Sequence, residues 1–292
     1  MTLKSMTGFG RAEQTVGDKT YLVEIKALNG KQFELQLKLP ALLRPYEFDI
    51  RNCLQEHLIR GTVDCYIVIK QNGASKPVVI NTDLIKAYYA QIDTLAKELQ
   101  IDTHSVLGAL LRLPEVVTPS VDVLEEKEFN DCMLVLKDAL RQLTLHREEE
   151  GASLYKDLIT RIERIREQEE AILLLEPNRE KRIREEINSL LQKHVGQDNI
   201  DHNRLEQELI YYMEKIDIHE EQIRLRQHCE YFQQVIDSDD PGKGKKLSFI
   251  LQEIGREINT TGSKAYDAGI QKCVVQMKDE LEKAKEQVLN VL

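Results

Sequence analysis

Tyr21-Leu22-Val23-Glu24-Ile25 puts Tyr21, Val23 and Ile25 on one face, the period of two that marks a strand with one side in a core. The same alternation returns at Phe33, Leu35, Leu37 and Leu39, and again at Cys65, Ile67 and Ile69. These read as antiparallel strands with polar outer faces. Between the second and third runs, Leu42, Leu43, Tyr46, Ile50, Leu54, Leu58 and Ile59 recur at helical spacing, and Arg60-Gly61 supplies a stop. The opening 80 residues therefore predict a small sheet carrying at least one helix.

After Pro77 the period becomes helical, over 82–99, 103–112, about 127–175, 178–194, 203–236, 244–258 and 262–290. Leu113-Pro114 and Thr118-Pro119 mark one loop, Glu176-Pro177 is expected to close the longest helix, and Asp239-Asp240-Pro241-Gly242 reads as a turn. Leu154, Leu158, Ile162, Ile165 and Ile172 form one stripe, expected to pair with Ile183, Ile187, Leu190 and Leu191 in a charged antiparallel hairpin. The predicted fold class is α+β. An N-terminal antiparallel β-rich domain with helices (1–120) precedes a C-terminal all-helical domain (121–292) with a long antiparallel helical hairpin.

Composition agrees, with 41% hydrophobic and 31% charged residues, no Trp, and only 14 Gly and 7 Pro in 292 residues, a helix-rich balance. The net charge of -10 argues against a surface that is basic throughout. Basic character concentrates at the start, where residues 1–80 hold 11 Lys/Arg against 8 Asp/Glu. Five scattered cysteines without a CxxC pair indicate neither a disulfide framework nor a zinc knuckle. No leader-like apolar run opens the chain and no stretch approaches the ~20 apolar residues of a membrane span, so a cytoplasmic protein with no membrane partner is expected.

Two segments could carry chemistry. On a continuous helix, Asp217, Glu220, Glu221, Arg224 and His228 fall within an arc of roughly 100°, with Glu206 behind them. Ionised carboxylates gathered on a partly dry face are what a hard divalent cation requires; an ion-pair network around Arg224 is the commoner use of such spacing. Further on, Glu253, Arg256 and Glu257 share a face, and Asn259-Thr260-Thr261-Gly262-Ser263 before Lys264 reads either as an oxyanion-binding helix start or as an ordinary junction. Gly151 stands inside a helical run, where it costs about 1 kcal/mol relative to Ala; a close backbone approach could explain it, with Glu148 and Glu150 then contributing to a charged site, and a solvated acidic face is the commoner alternative. The run from Asp240 to Ser248 fails the P-loop pattern, and Gly8-Phe9-Gly10 leads to Glu13, so no dinucleotide turn is supported.

These segments carry a resemblance to the YicC-like endoribonuclease family. Ser5-Met6-Thr7-Gly8-Phe9-Gly10-Arg11, Val23-Glu24-Ile25-Lys26-Ala27-Leu28-Asn29 and Arg60-Gly61-Thr62-Val63 resemble its opening motifs. Arg147, Glu148, Glu150 and Gly151 also fit. The longest match runs from Arg204-Leu205-Glu206-Gln207-Glu208 through Asp217, Glu220-Glu221, Arg224-Leu225 and His228 to Gln252-Glu253, Arg256-Glu257, Asn259-Thr260 and Ser263-Lys264. Departures are Lys26-Ala27 for the family's usual Arg-Ser, Lys31 for Arg and Thr62 for Lys; Lys keeps the charge and loses bidentate phosphate recognition.

The resemblance implies a divalent-metal-dependent enzyme (Mn²⁺ or Mg²⁺) that hydrolyses RNA internally as a ring-like homo-hexamer, with other RNA-decay proteins as further partners. On that basis Asp217, Glu220, Glu221 and Glu253 are expected as metal ligands and Glu221, His228 and Glu257 as catalytic residues. Arg11, Lys26, Asn29, Lys31, Arg60, Arg224, Arg256 and Lys264 are expected to bind substrate. The competing expectations are a non-catalytic adaptor that delivers RNA to another nuclease and a helical scaffold without RNA affinity.

Overall fold

In a computed structural model of the chain, residues 3–30, 32–58, 60–72, 79–99, 106–118, 124–194, 202–240 and 242–292 are described. A four-stranded sheet opens the fold: β1 (Gly8–Val16), β2 (Lys19–Leu28), β3 (Phe33–Lys38) and β4 (Gly61–Gln71), in the order β1-β2-β4-β3. β1–β2 and β2–β4 are antiparallel, with Val23 opposite Ala12 and Ile67. β3 runs parallel to β4, contrary to the all-antiparallel expectation. The connection explains it: a 3₁₀ turn (Ala41–Tyr46) and α1 (Glu47–His57) make a crossover long enough to return the chain in the same direction.

A small lobe follows, made of β5 (Val79–Ile80), α2 (Thr82–Leu99), α3 (Val106–Leu110) and β6 (Val117–Thr118). α3 is shorter than the 103–112 expected, and 103–105 lie outside the described residues. Then comes α4 (Glu126–His194), 69 residues in one helix of about 100 Å. Pro177 lies inside it and does not end it. The helix is held on both sides of the proline: Leu175 packs on the core, and buried Arg179 donates to the Ile216 carbonyl at 2.8 Å and pairs with Glu176. Tertiary contact thus overrides the local breaker. The hairpin is consequently made by the end of α4 with α5 (His202–Ile216), joined by Arg184–Glu206 at 2.7 Å, and not by two halves of the earlier helical run.

The expected helix 203–236 is two. α5 ends at Ile216, Ile218 is buried, and the Asp217 carboxylate accepts from His219 N at 2.9 Å to open α6 (His219–Asp237). Conversely, α7 (Lys243–Lys264) continues through Asn259–Ser263, where a junction was expected. Gly262 permits it, since a Cβ there would stand 2.9 Å from Val274 Cγ1 on α8 (Ala268–Val288). The cap of α8 is Asp267, which accepts from Gly269 N and Ile270 N.

Two cores result. One joins the sheet's inner face, α1 and the first part of α4 (Cys132 to Leu143); the other joins α4 from Leu154 to Ile172 with α6, α7 and α8. They are tied together where Arg147 and Gly151 of α4 meet the N-terminal segment. Ser5 N donates to the Arg147 carbonyl (3.0 Å), Arg147 Nη2 to Met6 O (3.0 Å) and Thr7 Oγ1 to Glu150 (2.7 Å), while Lys4 pairs with Glu148 (3.0 Å). All five cysteines are free and buried, and among the described residues no helix is long and apolar enough to cross a membrane.

A Cβ at Gly151 would clash with the Leu3 carbonyl oxygen. Gly151→Ala, which in an ordinary helix stabilises by about 1 kcal/mol, is therefore expected to destabilise by about 1–3 kcal/mol, read as a lower midpoint in urea unfolding. Glu280 on α8 offers a pH test. Burial alone would raise its pKa, but hydrogen bonds from Arg161 (2.8 Å) and Lys283 (3.1 Å) bring it down to about 2. Because the folded value lies below the unfolded one, near 4.3, this contribution is present above about pH 4 and is lost as pH falls through about 2. The cost of Glu280→Gln in urea unfolding should be full at pH 7 and shrink steadily below pH 4.

Candidate active site

The α6–α7 pair brings together residues 33 to 43 positions apart in sequence. Glu221, Arg224 and His228 follow one face of α6 at steps of three and four, and Glu257, Thr261 and Lys264 follow one face of α7 in the same way. Arg224 stands at the centre: Nε donates to Glu257 (3.0 Å), Nη1 to Glu220 (3.0 Å) and Nη2 to Glu221 (2.9 Å). Lys264 Nζ donates to the same Glu221 oxygen at 3.0 Å. The hydrogen bond to Glu257, then that to Glu220, raises the Arg224 pKa further, so its charge is permanent.

Burial sorts most of this cluster by sign, with Glu220, 78% exposed, as the exception. The side chains of Glu221 and Glu257 are 4% and 6% exposed, whereas Arg224 and Lys264 are 40% and 32% exposed. Solvent meets the two cations together with Glu220, and the other two carboxylates that hold them lie beneath. Ionised groups buried in this way persist only when paired, yet the second oxygen of Glu221 is buried without a hydrogen-bond partner, as are Gln222 Nε2 and Thr261 Oγ1. Gln222 was given no role from sequence, and Thr261 only that of part of a candidate helix start. The spacing of Thr261 from Glu257 and Lys264 was a usable signal; Gln222 offered none.

The other expected site residues stand elsewhere. Asp217 is spent on the first turn of α6. Glu253 is exposed, with Arg256 3.9 Å away. Arg11 lies on the outer sheet face, 3.5 Å from both Glu13 and Glu24, and Lys26 is exposed on the same face with Phe9 and Asp64 as strand neighbours. Asn29 donates to Leu289 O (2.8 Å), and Arg60, whose pKa burial lowers, donates to Val291 O (2.8 Å). These two side chains hold the chain's own C-terminal end. Lys31 lies outside the described residues. Arg60 is near Gly244 at the start of α7, about 20 Å along that helix from Glu257. Neither reading of Asn259–Ser263, an oxyanion-binding helix start or an ordinary junction, holds, because those amides are inside α7 and Thr260 donates back to Arg256 O.

Among the described residues no three His, Cys, Asp and Glu side chains are arranged to hold a metal ion by themselves. A Mg²⁺-like cation commonly uses only one or two carboxylates and takes its remaining ligands from water and substrate phosphate. Glu221, with its unpartnered oxygen, and Glu257 fit that smaller requirement.

Comparison with known proteins agrees along the chain. Residues 3–156 match the N-terminal region and residues 172–292 the C-terminal region described as endoribonuclease YicC-like. A protein of Clostridioides difficile (strain 630) named probable endoribonuclease YicC is 33% identical over 299 residues, covering 98% of this chain and 99% of that one. A protein of the same name from Haemophilus influenzae is 29% identical over 301 residues, covering 98% and 99%. With both regions matched and a relative aligned nearly end to end, the chain belongs to the YicC-like endoribonuclease family.

Proposed function

We propose that this protein is an endoribonuclease that hydrolyses RNA internally at the α6–α7 cluster, in the presence of Mg²⁺ or Mn²⁺, as a ring-like homo-hexamer. The observation that carries the reading is the pairing of half-buried, solvent-reachable Arg224 and Lys264 with buried Glu221 and Glu257 across two helices. Such cations take a phosphodiester without the entropy loss of ordering long side chains, since the carboxylates already fix them. They then stabilise the charge that grows on the phosphoryl oxygens. His228, one turn beyond Arg224 and half-buried, transfers a proton between the site and the reacting oxygens. A divalent cation bound by Glu221 and Glu257 would supply a nucleophilic water at neutral pH and further neutralise the phosphate. The family's named activity in its relatives supports the same reaction class.

The test is cleavage of an end-labelled RNA by purified protein, with Mn²⁺, Mg²⁺ or EDTA, beside a Glu221→Gln/His228→Ala variant purified identically. Metal-dependent internal cleavage, reduced about 10²- to 10⁴-fold in the variant, is expected, with 5′-phosphate ends on the products. Equal cleavage by both preparations would move the activity to another site or a contaminant. Binding without cleavage would favour an adaptor that delivers RNA elsewhere. A second assay concerns the sheet: Lys26→Glu with Lys31→Glu should weaken RNA binding and flatten its salt dependence, about one unit of slope per lost phosphate contact. Unchanged binding would remove the sheet from the RNA path.

A further inference from the structure

β3 stops short of β4. Its last residue, Lys38, is paired with Tyr66, while β4 runs on to Gln71. Pro40 has no N–H to carry the ladder further; its carbonyl accepts from Leu43 N (3.0 Å) and starts the 3₁₀ turn that fully buried Leu43 fixes to the core. The chain thereby leaves the sheet, and a cleft of about 470 Å³ opens between that turn, with Leu39, Pro40 and Arg44, and the stretch of β4 from Tyr66 to Ile69. The core lies against the other face of the sheet, so Tyr66 keeps its ring 48% exposed at this cleft.

The charges of the cleft are Lys38, Arg44 and Glu47. Glu47 is already held by Arg51 (2.8 Å). Among the described residues no hydrogen bond, ion pair or ring contact engages the side chains of Lys38, Arg44 or Tyr66. Over the whole outer face of the sheet Arg11, Lys26, Lys38 and Lys70 are matched by Glu13, Glu24, Glu34 and Asp64, so the cationic excess is confined to the cleft. A second exposed ring, Phe9, stands on this face beside Lys26 in the register, about 12 Å from Tyr66 by strand spacing. These properties select the occupant. A free aromatic face stacks on any base, and unpaired cations at the same cleft suit the phosphates on either side of that base. Bases in a duplex are stacked on their own neighbours and present no face to a ring. An extended peptide added to the open β4 edge would use the strand's main chain and needs no free ring between two cations.

We propose that this cleft is a nucleotide subsite, in which an unpaired base of the RNA strand stacks on Tyr66 while Lys38 and Arg44 hold the phosphates flanking it. Resting on the RNA-cleaving reading, the subsite narrows the substrate to strands whose bases are unpaired at this point. A strand leaving the cleft across β2 meets Phe9 and Lys26 next. Because the outer face is balanced in charge, stacking and not net charge supplies the selectivity here.

The test is fluorescence anisotropy of a labelled oligoadenylate with the full-length protein, in EDTA, beside the same strand annealed to oligouridylate. Wild type should bind the single strand and prefer it to the duplex. Tyr66→Leu should weaken single-strand binding by about 5- to 150-fold, and Tyr66→Phe, which keeps the ring, should restore it. Lys38→Gln/Arg44→Gln should lower the slope of log affinity against log salt by about 1.4, which is about 0.7 for each of two phosphates. Circular dichroism confirms that each variant is folded, as all three side chains reach solvent. Single-strand binding that is equal in wild type, Tyr66→Leu and the double variant at every salt concentration would overturn the subsite, release the β4 edge to an extended peptide and leave the RNA-cleaving reading standing. Duplex bound as tightly as the single strand would overturn the subsite as well. A wild type that neither binds nor cleaves RNA would overturn both readings.

Discussion

Gly151 lets the backbone at Leu3 and Lys4 lie directly against α4, and most of the architecture depends on that contact. α4 belongs to both cores, but a helix with few interruptions cannot by itself fix the rotation of one core against the other. The N-terminal segment does so by crossing α4 between the cores, with Ser5, Met6 and Thr7 engaging Arg147 and Glu150. The C-terminal end closes the same junction: Met6 N donates to Asn290 O (2.8 Å) and Leu292 N to Lys4 O (2.9 Å). Asn29 and Arg60 of the sheet then hold Leu289 and Val291, and Gly244 leaves room for the Val291 carbonyl at the start of α7. Both chain ends, the sheet and α7 are thereby locked to one region of α4. Burial raises the cost of the polar groups used there, and Arg147 Nη2, Asn29 and Arg60 each meet a backbone carbonyl.

That rigidity matters for the α6–α7 cluster because its cations are fixed by carboxylates from two helices. Arg224 reaches Glu220 and Glu221 on its own helix and Glu257 on the neighbour, so any sliding of α7 against α6 breaks the planar fork. Gly255 and Gly262 keep α7 close to α8, through Leu281 and Val274. Packing on one side of α7 therefore sets electrostatics on the other. Leaving any of the buried carboxylates without its cation would cost more than the pair contributes, a familiar asymmetry of buried charge.

The sheet and the helical remainder were legible because periodicity records burial, and burial is what these elements share. Tyr21, Val23, Ile25, Cys65 and Ile67 are indeed buried, as is the stripe Leu154, Leu158, Ile162, Ile165 and Ile172. Element ends were less legible because tertiary contacts decide them. Pro177 is bridged by Arg179 and Leu175, and α5 stops at Ile216 because Ile218 turns into the core. The polar run Asn259–Ser263 stays helical since α8 packs against Gly262. The direction of β3 depended on the length of a connection and not on its alternation. In the site, helical spacing grouped Glu221 with Arg224 and placed Glu257 on a second helix face, and Lys264 was singled out beside an expected helix start, but a single sequence could not show that α6 and α7 lie side by side, nor that Asn29 and Arg60 reach the C-terminus.

The negative total charge is compatible with an RNA substrate once the carboxylates are placed. A phosphate chain responds to the local field within about 8–10 Å at physiological salt, and not to the sum over the molecule. At the α6–α7 face, Glu221 and Glu257 lie buried below Arg224 and Lys264, while the third carboxylate, Glu220, stands exposed beside Arg224. The groove beside the α4–α5 hairpin has the opposite character, with Glu176, Glu206, Glu214 and Asp217 against Arg184 over Leu209, Ile210 and Met213. Polyanions are excluded from such a groove by repulsion. On the proposed reading, the acidic groove and the cationic cluster together would bias where an RNA strand lies, so that acidity away from the cluster adds selectivity without adding a contact.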